Sequence, residues 1–315
     1  MEIDISIIIP TCNRGEILKK ALESIHSLAC DGSFTYRFLI VDNNSTDKTK
    51  EVVENFRDQY KVEVKYFFEP QQGISCARNR GIREAQGEFI VFTDDDCLPN
   101  YQWLGEIFEC FKETQCDAIG GRILPSFPPH TPKWVEKCKD LLCGPIVFHD
   151  YGEETKLYEK PMLEFVGANI AFRREVFQKY GYFRTDLGVG QGTMGEETEF
   201  FQRLQSQGCK IYYCGKAVVW HPVEFQRLSL KYLAKWNIGL GKYRFLIDEK
   251  GVVAEKLART FGVPRYLIAE MAGHCFLLML NIFNRRNFLR EWKNLTVKIG
   301  RASAMQQKFW EEKNQ

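Results

Sequence analysis

What the chain has little of narrows the field first. Net charge is almost absent: 43 Lys+Arg oppose 41 Asp+Glu in 315 residues, leaving +2. A surface acting as a polyelectrolyte towards nucleic acid is excluded, so an anionic ligand has to be met at a local site. Histidines number five, and the 11 cysteines are odd in number, scattered, and never spaced as C-x-x-C. Structural zinc and dithiol redox chemistry are therefore not expected, and free thiols in a reducing compartment are the simplest reading. The amino-terminal stretch MEIDISIIIPTCNRG has no basic segment followed by a long apolar one, which makes a cytoplasmic location the expectation. The longest apolar stretch, Tyr266 to Phe283, is interrupted by Glu270, His274 and Asn281 and makes a poor transmembrane helix. No internal repeat is visible. What is present is 44% hydrophobic residues, including 24 Phe, 13 Tyr and 6 Trp, the composition of a well-packed globular chain.

Order along the chain starts with apolar, β-branched runs at Ile5 to Pro10, Phe38 to Val41, Val62 to Phe68 and Phe89 to Thr93. Helical-period stretches separate them, at Glu16 to Leu28, Lys48 to Tyr60 with Asp47 as its N-cap, and Ser75 to Ala85. This alternation predicts an α/β fold with a mostly parallel sheet flanked by helices. A helix from Tyr101 to Glu113 and a strand from Ala118 to Ile123 continue it. Between Pro125 and Pro161 periodicity fails and Pro, Gly and aromatics accumulate, which reads as an irregular rim insertion where substrate choice resides. Order returns with Phe165 to Phe172, a helix Arg174 to Tyr180, the loop GVGQGTMG over Gly188 to Gly195, a helix Glu196 to Gln207 and a strand Lys210 to Cys214. We expect a sheet domain over 1–225, divided near 124, and a helical region over 226–315.

Ligands in parallel α/β sheets bind beyond the carboxyl ends of the strands. There the sequence places Pro10-Thr11-Cys12-Asn13-Arg14, Asp42-Asn43-Asn44-Ser45-Thr46-Asp47 and Thr93-Asp94-Asp95-Asp96. Three successive aspartates repel one another unless a cation neutralises them. Hard carboxylates with little other ligation suit Mg²⁺ or Mn²⁺ shared with a diphosphate. Alone, such a run is more often an acidic turn capping the next helix; its place after Phe89-Ile90-Val91-Phe92 favours the cation.

Together these residues, with Gly73 to Asn79, Gly167-Ala168-Asn169 and Gly195-Glu196-Glu197-Thr198-Glu199, resemble the inverting nucleotide-sugar glycosyltransferases of family 2. The resemblance covers roughly residues 3 to 225 and implies the GT-A fold there, with the helical region as an extension. It implies a nucleotide pocket made of Pro10, Thr11, Asn13, Arg14, Asp42, Asn44, Arg78, Asp94 and Asp95. It further implies a Mn²⁺ or Mg²⁺ site on Asp94 and Asp96 completed by His221, and sugar contacts at Gly167 and Asn169. Asn43 departs from the second Asp many members carry. The acid pair would hold the base, Glu197 with its neighbour Glu196, where the family has Asp in the second place. Both could instead be first-turn acids favouring a helix dipole; in the motif's context, Glu196 is expected to raise the proton affinity of Glu197.

The implied reaction moves a sugar from a nucleoside-diphosphate sugar, UDP-sugars being favoured, to a hydroxyl of a glycan or lipid-linked acceptor, as in surface polysaccharide synthesis. A catalytically degenerate sugar-nucleotide or glycan-binding protein of the same fold is the alternative. A nucleotidyltransferase would want a glycine-rich basic loop where Pro10 to Gly15 stands. The loop 188–195 reads as a mobile acceptor-side lid. The apolar segment beside the basic stretch RRNFLREWKNLTVKIGR suits peripheral contact through 262–301 with the inner face of the cell membrane, and equally a helix buried in the core or in a partner.

Overall fold

A computed structural model of the chain describes residues 4–28, 32–159, 165–188, 194–247 and 259–313. In chain order the elements are β1 (Ile5–Thr11), α1 (Gly15–His26), β2 (Tyr36–Asp42), α2 (Thr49–Tyr60), β3 (Val64–Phe68), α3 (Ile74–Glu84) and β4 (Phe89–Phe92). Then come β5 (Leu98–Pro99), α4 (Trp103–Thr114), β6 (Ala118–Ser126), α5 (Lys133–Lys137), β7 (Thr155–Leu157), β8 (Ile170–Arg173), α6 (Arg174–Tyr180), α7 (Glu196–Ser206) and β9 (Ile211–Pro222). The helices α8 (Leu230–Ile247), α9 (Arg265–Leu280) and α10 (Arg285–Lys313) complete them.

All seven residues of β1 are buried, as in a parallel strand covered on both faces, where apolar runs need no polar alternation. The sheet runs β3-β2-β1-β4-β8-β6-β9-β5, with β7 also on β9. The first four strands in that order are mutually parallel; β8 opposes both β4 and β6, and β6 runs parallel to β9. One sheet thus carries the strand ends of β1, β2 and β4 side by side.

Two compact units emerge: Met1–Ser126, His149–Gln191 and Glu196–Pro222 form a sheet unit, and Phe127–Phe148, Gly192–Gly195 and Val223–Gln315 a helical unit. Phenylalanines knit the first. Phe177 and Phe200 stack with centroids 5.3 Å apart, Phe92 and Phe172 pack edge-on against them, and Phe183 lies tilted against both. Such pairs add about 0.5–1.5 kcal/mol each beyond burial. In the helical unit α8 and α10 touch backbone to backbone. A Cβ on Gly241 would lie 2.0 Å from the Val297 carbonyl oxygen, and one on Gly300 2.1 Å from that of Ile238.

Several expected boundaries differ from the observed ones. The strand at 210–214 and the apolar run at 218–220 are one strand, β9, whose register against β6 shifts at Gly121/Arg122. Gly215 permits this, because its absent side chain leaves room for the Gly152 carbonyl. Asp47 lies one residue before the N-cap of α2; its carboxylate accepts from the Thr49 amide and from the Gly15 amide that opens α1. The segment after Pro125 is not wholly irregular, since it holds the end of β6, α5 and β7. Residues 165–172 contain a 3-10 turn, Gly167–Asn169, ahead of β8. Most of the loop read as a lid, 189–193, and the insertion's last residues, 160–161, lie outside the described residues.

Candidate active site

The end of β1 and the turn after β4 meet through charge. Thr11 Oγ1 donates to Asp95 at 2.8 Å, and Arg14 reaches both Asp95 and Asp96 at 2.7 Å. Burial still dominates at Asp95: it pushes the carboxyl up to about 7 despite Arg14 and Thr11. Asp94, burdened by burial and by Asp96 beside it, is also raised, against the pull of Arg78. Pro10 is buried within β1.

At the end of β2, Asp42 is buried and accepts from the Tyr66 hydroxyl at 2.6 Å and the Ser45 amide at 2.8 Å. Asn43 spans the loop opposite. Its Nδ2 donates to the carbonyls of Glu69 and Gln71, and its Oδ1 accepts from the Gly73 amide. A carboxylate there could not donate to two carbonyls, which accounts for Asn in place of Asp. Asn13 and Asn44 both adopt left-handed backbone. Asn13 is a loop brace, with Oδ1 accepting from the Thr46 amide at 2.8 Å, while Asn44 is exposed.

Helix α3 turns a polar face inward. Ser75 donates to the Leu187 carbonyl, and Asn79 exchanges two hydrogen bonds with the Phe183 backbone. Between them Arg78, 3% exposed, meets Glu196 at 2.9 Å, Glu197 at 3.0 Å and Asp94 at 3.9 Å. Its guanidinium thus ties the aspartate run to the acid pair. It was expected in the nucleotide pocket; in the structure its short contacts are with carboxylates. Glu197 Oε1 also accepts from the Gly167 amide at 3.0 Å.

The acid pair divides its proton unequally, in the sense opposite to the sequence reading. Burial, then the charge of Glu197, pushes Glu196 up to about 8. For Glu197 burial acts upward too, but Arg78 and a hydrogen bond from Glu196 outweigh it and leave the carboxyl low. The pair therefore shares a proton that Glu196 favours, with Arg78 favouring the charge on Glu197.

His221, at the end of β9, is buried with Nδ1 3.0 Å from the Pro222 carbonyl and Nε2 3.5 Å from Asp96. With Nδ1 donating to that carbonyl, Nε2 presents its lone pair to a carboxylate, an arrangement a cation between them resolves. One donor atom each from Asp94, Asp96, Cys97 and His221 lies within 4.8 Å of the others. Burial holds the Cys97 thiol far above its usual range, so two carboxylates and an imidazole are the effective donors, a set that suits a divalent cation. Asn169 sits behind them: Oδ1 accepts from Trp103 Nε1 at 2.9 Å, and Nδ2 donates to the carbonyls of Arg122 and Ala217. Its side chain is structural in these contacts. Tyr66, Trp103, Ser75 and Asn79 were not singled out individually from the sequence, and only their neighbourhood to the motifs hinted at them.

Over residues 6–181 the sequence matches the family model described as glycosyl transferase family 2, more than half of the chain. The chain belongs to that family. Among curated relatives of this glycosyltransferase, the succinoglycan biosynthesis protein ExoM of Rhizobium meliloti is 27% identical over 277 residues, covering 87% of this chain and 83% of ExoM. A GalNAc(5)-diNAcBac-PP-undecaprenol beta-1,3-glucosyltransferase of Campylobacter jejuni is 37% identical over 94 residues, 29% of each chain. Among solved structures, the mannosyltransferase PcManGT from Pyrobaculum calidifontis, in complex with GDP-Man and Mn²⁺, superimposes with TM-score 0.63 at 16% identity. The match covers 98% of this chain and 88% of that one. The fold is GT-A.

Proposed function

We propose that this family 2 glycosyltransferase is a metal-dependent inverting enzyme that moves a sugar from a nucleoside-diphosphate sugar to a hydroxyl of a glycan or lipid-linked acceptor, in surface polysaccharide synthesis. The observation that carries the reading is the charge arrangement around Arg78. Its Nη1 meets both carboxylates of the acid pair, at 2.9 and 3.0 Å, while its Nη2 faces Asp94 at 3.9 Å. Inversion needs one carboxylate placed to remove a proton, and the sharing of one proton leaves Glu197 as that group. As the acceptor oxygen bonds to the anomeric carbon, the bond to the diphosphate oxygen breaks and the acceptor proton passes to Glu197. Arg78 keeps the carboxylate ionised beforehand.

Asp94, Asp96 and His221 would hold the cation, and the imidazole favours Mn²⁺ over Mg²⁺. What such an ion supplies when bound is neutralisation of the leaving diphosphate. Around it, Thr11, Arg14 and Asp95 brace the aspartate run, and Asp42 offers a buried acceptor for a base N–H such as uracil N3–H. UDP-sugars are the donors to try first. The polysaccharide role draws on ExoM, the lipid-linked acceptor on the name of the Campylobacter relative, and the metal on the mannosyltransferase complex. Peripheral contact through 262–301 with the inner face of the cell membrane accords with such an acceptor.

Thermal unfolding with UDP, GDP and dTDP and their sugars, with and without Mn²⁺, tests the donor site. A nucleotide at a hundred times its dissociation constant stabilises by about 2.7 kcal/mol. The expected result is a Mn²⁺-dependent rise with one base; no rise with any overturns the sugar-nucleotide donor site and leaves a degenerate glycan-binding protein. Product anomers read by NMR test the stereochemistry, and a retained configuration overturns the inverting reading.

A further inference from the structure

Helix α9 is built inside out. Its two polar side chains nearest the middle are both used on α10: Glu270 pairs with Lys298 at 2.5 Å and His274 with Glu291 at 2.6 Å. Towards its carboxyl end the positions left outside are apolar. Phe276 is 57% exposed, Met279 68%, Leu280 64%, Ile282 63% and Phe283 100%. Of the helix's sixteen residues only Leu267 is buried. A helix in contact only with water arranges itself the other way.

The turn from α9 to α10 satisfies part of its own backbone. Asn281 Nδ2 donates to the Leu277 carbonyl at 2.8 Å, and the Asn281 amide donates to the carbonyls of Leu277 and Leu278. The Asn284 amide donates to the Asn281 carbonyl, while Asn284 Oδ1 accepts from the Asn287 amide at the start of α10. The Ile282 and Phe283 amides make none of these bonds, so the turn suits the acyl boundary, where headgroups and water are within reach, and not the hydrocarbon centre. Charge points the same way. Residues 262–301 hold seven Lys and Arg against two acids, Glu270 and Glu291, both already paired. Arg265 is exposed at one end of the apolar stretch and Arg285 and Arg290 at the other, where Arg286 is instead engaged by Asp140 at 2.6 Å. No described helix is long and apolar enough to cross a membrane; sixteen residues reach about 24 Å, short of the ~30 Å hydrocarbon core.

We infer that the α9–α10 turn is a membrane-docking tip: Phe276, Met279, Leu280, Ile282 and Phe283 enter the acyl boundary of an anionic bilayer, and the flanking arginines meet its headgroup phosphates. The apolar residues occupy both the end of α9 and the turn beyond it, which a fluid surface wets from all sides, whereas a protein partner would need one face. The inference rests on the peripheral-contact reading and narrows it to five side chains.

The test uses the full chain with vesicles of phosphatidylcholine, with and without phosphatidylglycerol. Sedimentation compares the parent, the tip variant Phe276→Ser/Leu280→Ser/Phe283→Ser, and Arg285→Gln/Arg290→Gln. Phe283→Trp is read separately by quenching from lipids brominated in the acyl chain. The parent should bind the phosphatidylglycerol vesicles; the tip variant should lose on the order of 100-fold in partitioning. The arginine variant should lose about tenfold, and Trp at 283 should be quenched. Unchanged unfolding temperature and nucleotide-induced shift in each variant show that folding is not the cause. Equal binding by parent and tip variant overturns the tip while leaving a peripheral enzyme. No binding by the parent overturns the membrane reading as well. A parent that is dimeric without vesicles, and a tip variant that is monomeric, would assign the surface to a second copy of the chain.

Discussion

The sheet unit and the helical unit both tie charge into pairs, the first in its interior and the second at a partly exposed helix contact, and to opposite ends. In the sheet unit Arg78, Glu196, Glu197 and the aspartates gather at one place inside a phenylalanine-rich core. There the pairing leaves an unequal distribution of protons. In the helical unit Glu270 and His274 are used up in fastening α9 to α10, and large apolar side chains are what remains outside. Buried charge converging on a point marks chemistry, whereas paired charge at a helix contact beside exposed apolar surface marks a surface waiting for something apolar.

The sharpest way to break this comparison is to neutralise the acid pair. Glu197→Gln should reduce transfer by about 10²- to 10⁴-fold, the usual weight of a general base, while the nucleotide-induced rise in unfolding temperature persists. Steady-state transfer assays beside the thermal shift separate the two effects. A variant that transfers as fast as the parent removes Glu197 from the chemistry and makes the convergence of charge a structural matter.

Next in size is Asn169→Ala. It strands the Trp103 indole N–H and the carbonyls of Arg122 and Ala217 in a dry interior. Leaving one such group unpaired costs about 1–3 kcal/mol, so a loss of roughly 2–4 kcal/mol is expected from chemical denaturation. Hydrogen exchange should rise in peptides from β6, β8 and β9. In the helical unit the matching experiment is Gly300→Val, which drives a side chain into the Ile238 carbonyl and should cost about 1–3 kcal/mol, with the extra exchange in α8 and α10. If Gly300→Val is neutral, the close backbone approach contributes nothing to holding those helices.

The same contrast governs what was legible in the sequence. Apolar runs followed by polar strand ends are local patterns, so β1, β2, β4 and the motifs after them could be read directly. Twelve-residue β9 could not, because Gly215-Lys216 interrupts its apolar pattern at the point where the ladder shifts register. Nor could the partnership of Arg78 with Glu196 and Glu197, which are more than a hundred residues away in the chain and are brought near only by tertiary packing, including that of α3 against the backbone of Phe183 and Leu187. The assignment of raised proton affinity to Glu197 failed for that reason: the guanidinium that lowers it is invisible to spacing. In α9 the apolar composition was plain, but which residues face outward depends on ion pairs with a helix that follows in sequence.

The smallest effect concerns His149, a titratable group that the sheet unit buries without any gathering of charge. Tyr151, Phe165 and Tyr213 surround its ring, and its Nε2 has no hydrogen-bond partner. Burial lowers it to about 4, against only a slight upward pull from Asp150. An unfolded histidine near 6.5 takes up a proton before the folded one does, so the unfolded chain binds more protons between about 6.5 and 4. Stability therefore falls as pH falls through that window, by roughly 1 kcal/mol at pH 5.5, with nothing contributed above pH 7. Glu196 works in the opposite sense over part of the same range: its folded form holds a proton up to about 8, and its penalty is relieved on acidification. The whole-protein curve mixes the two. The difference between parent and His149→Phe isolates the histidine, since the phenyl ring keeps the aromatic contacts and cannot titrate. That difference should be flat above pH 7 and move in favour of the variant as pH drops to 5. A difference independent of pH would mean that His149 is protonated as readily inside the fold as outside it, and that the sheet unit tolerates charge away from its one point of convergence.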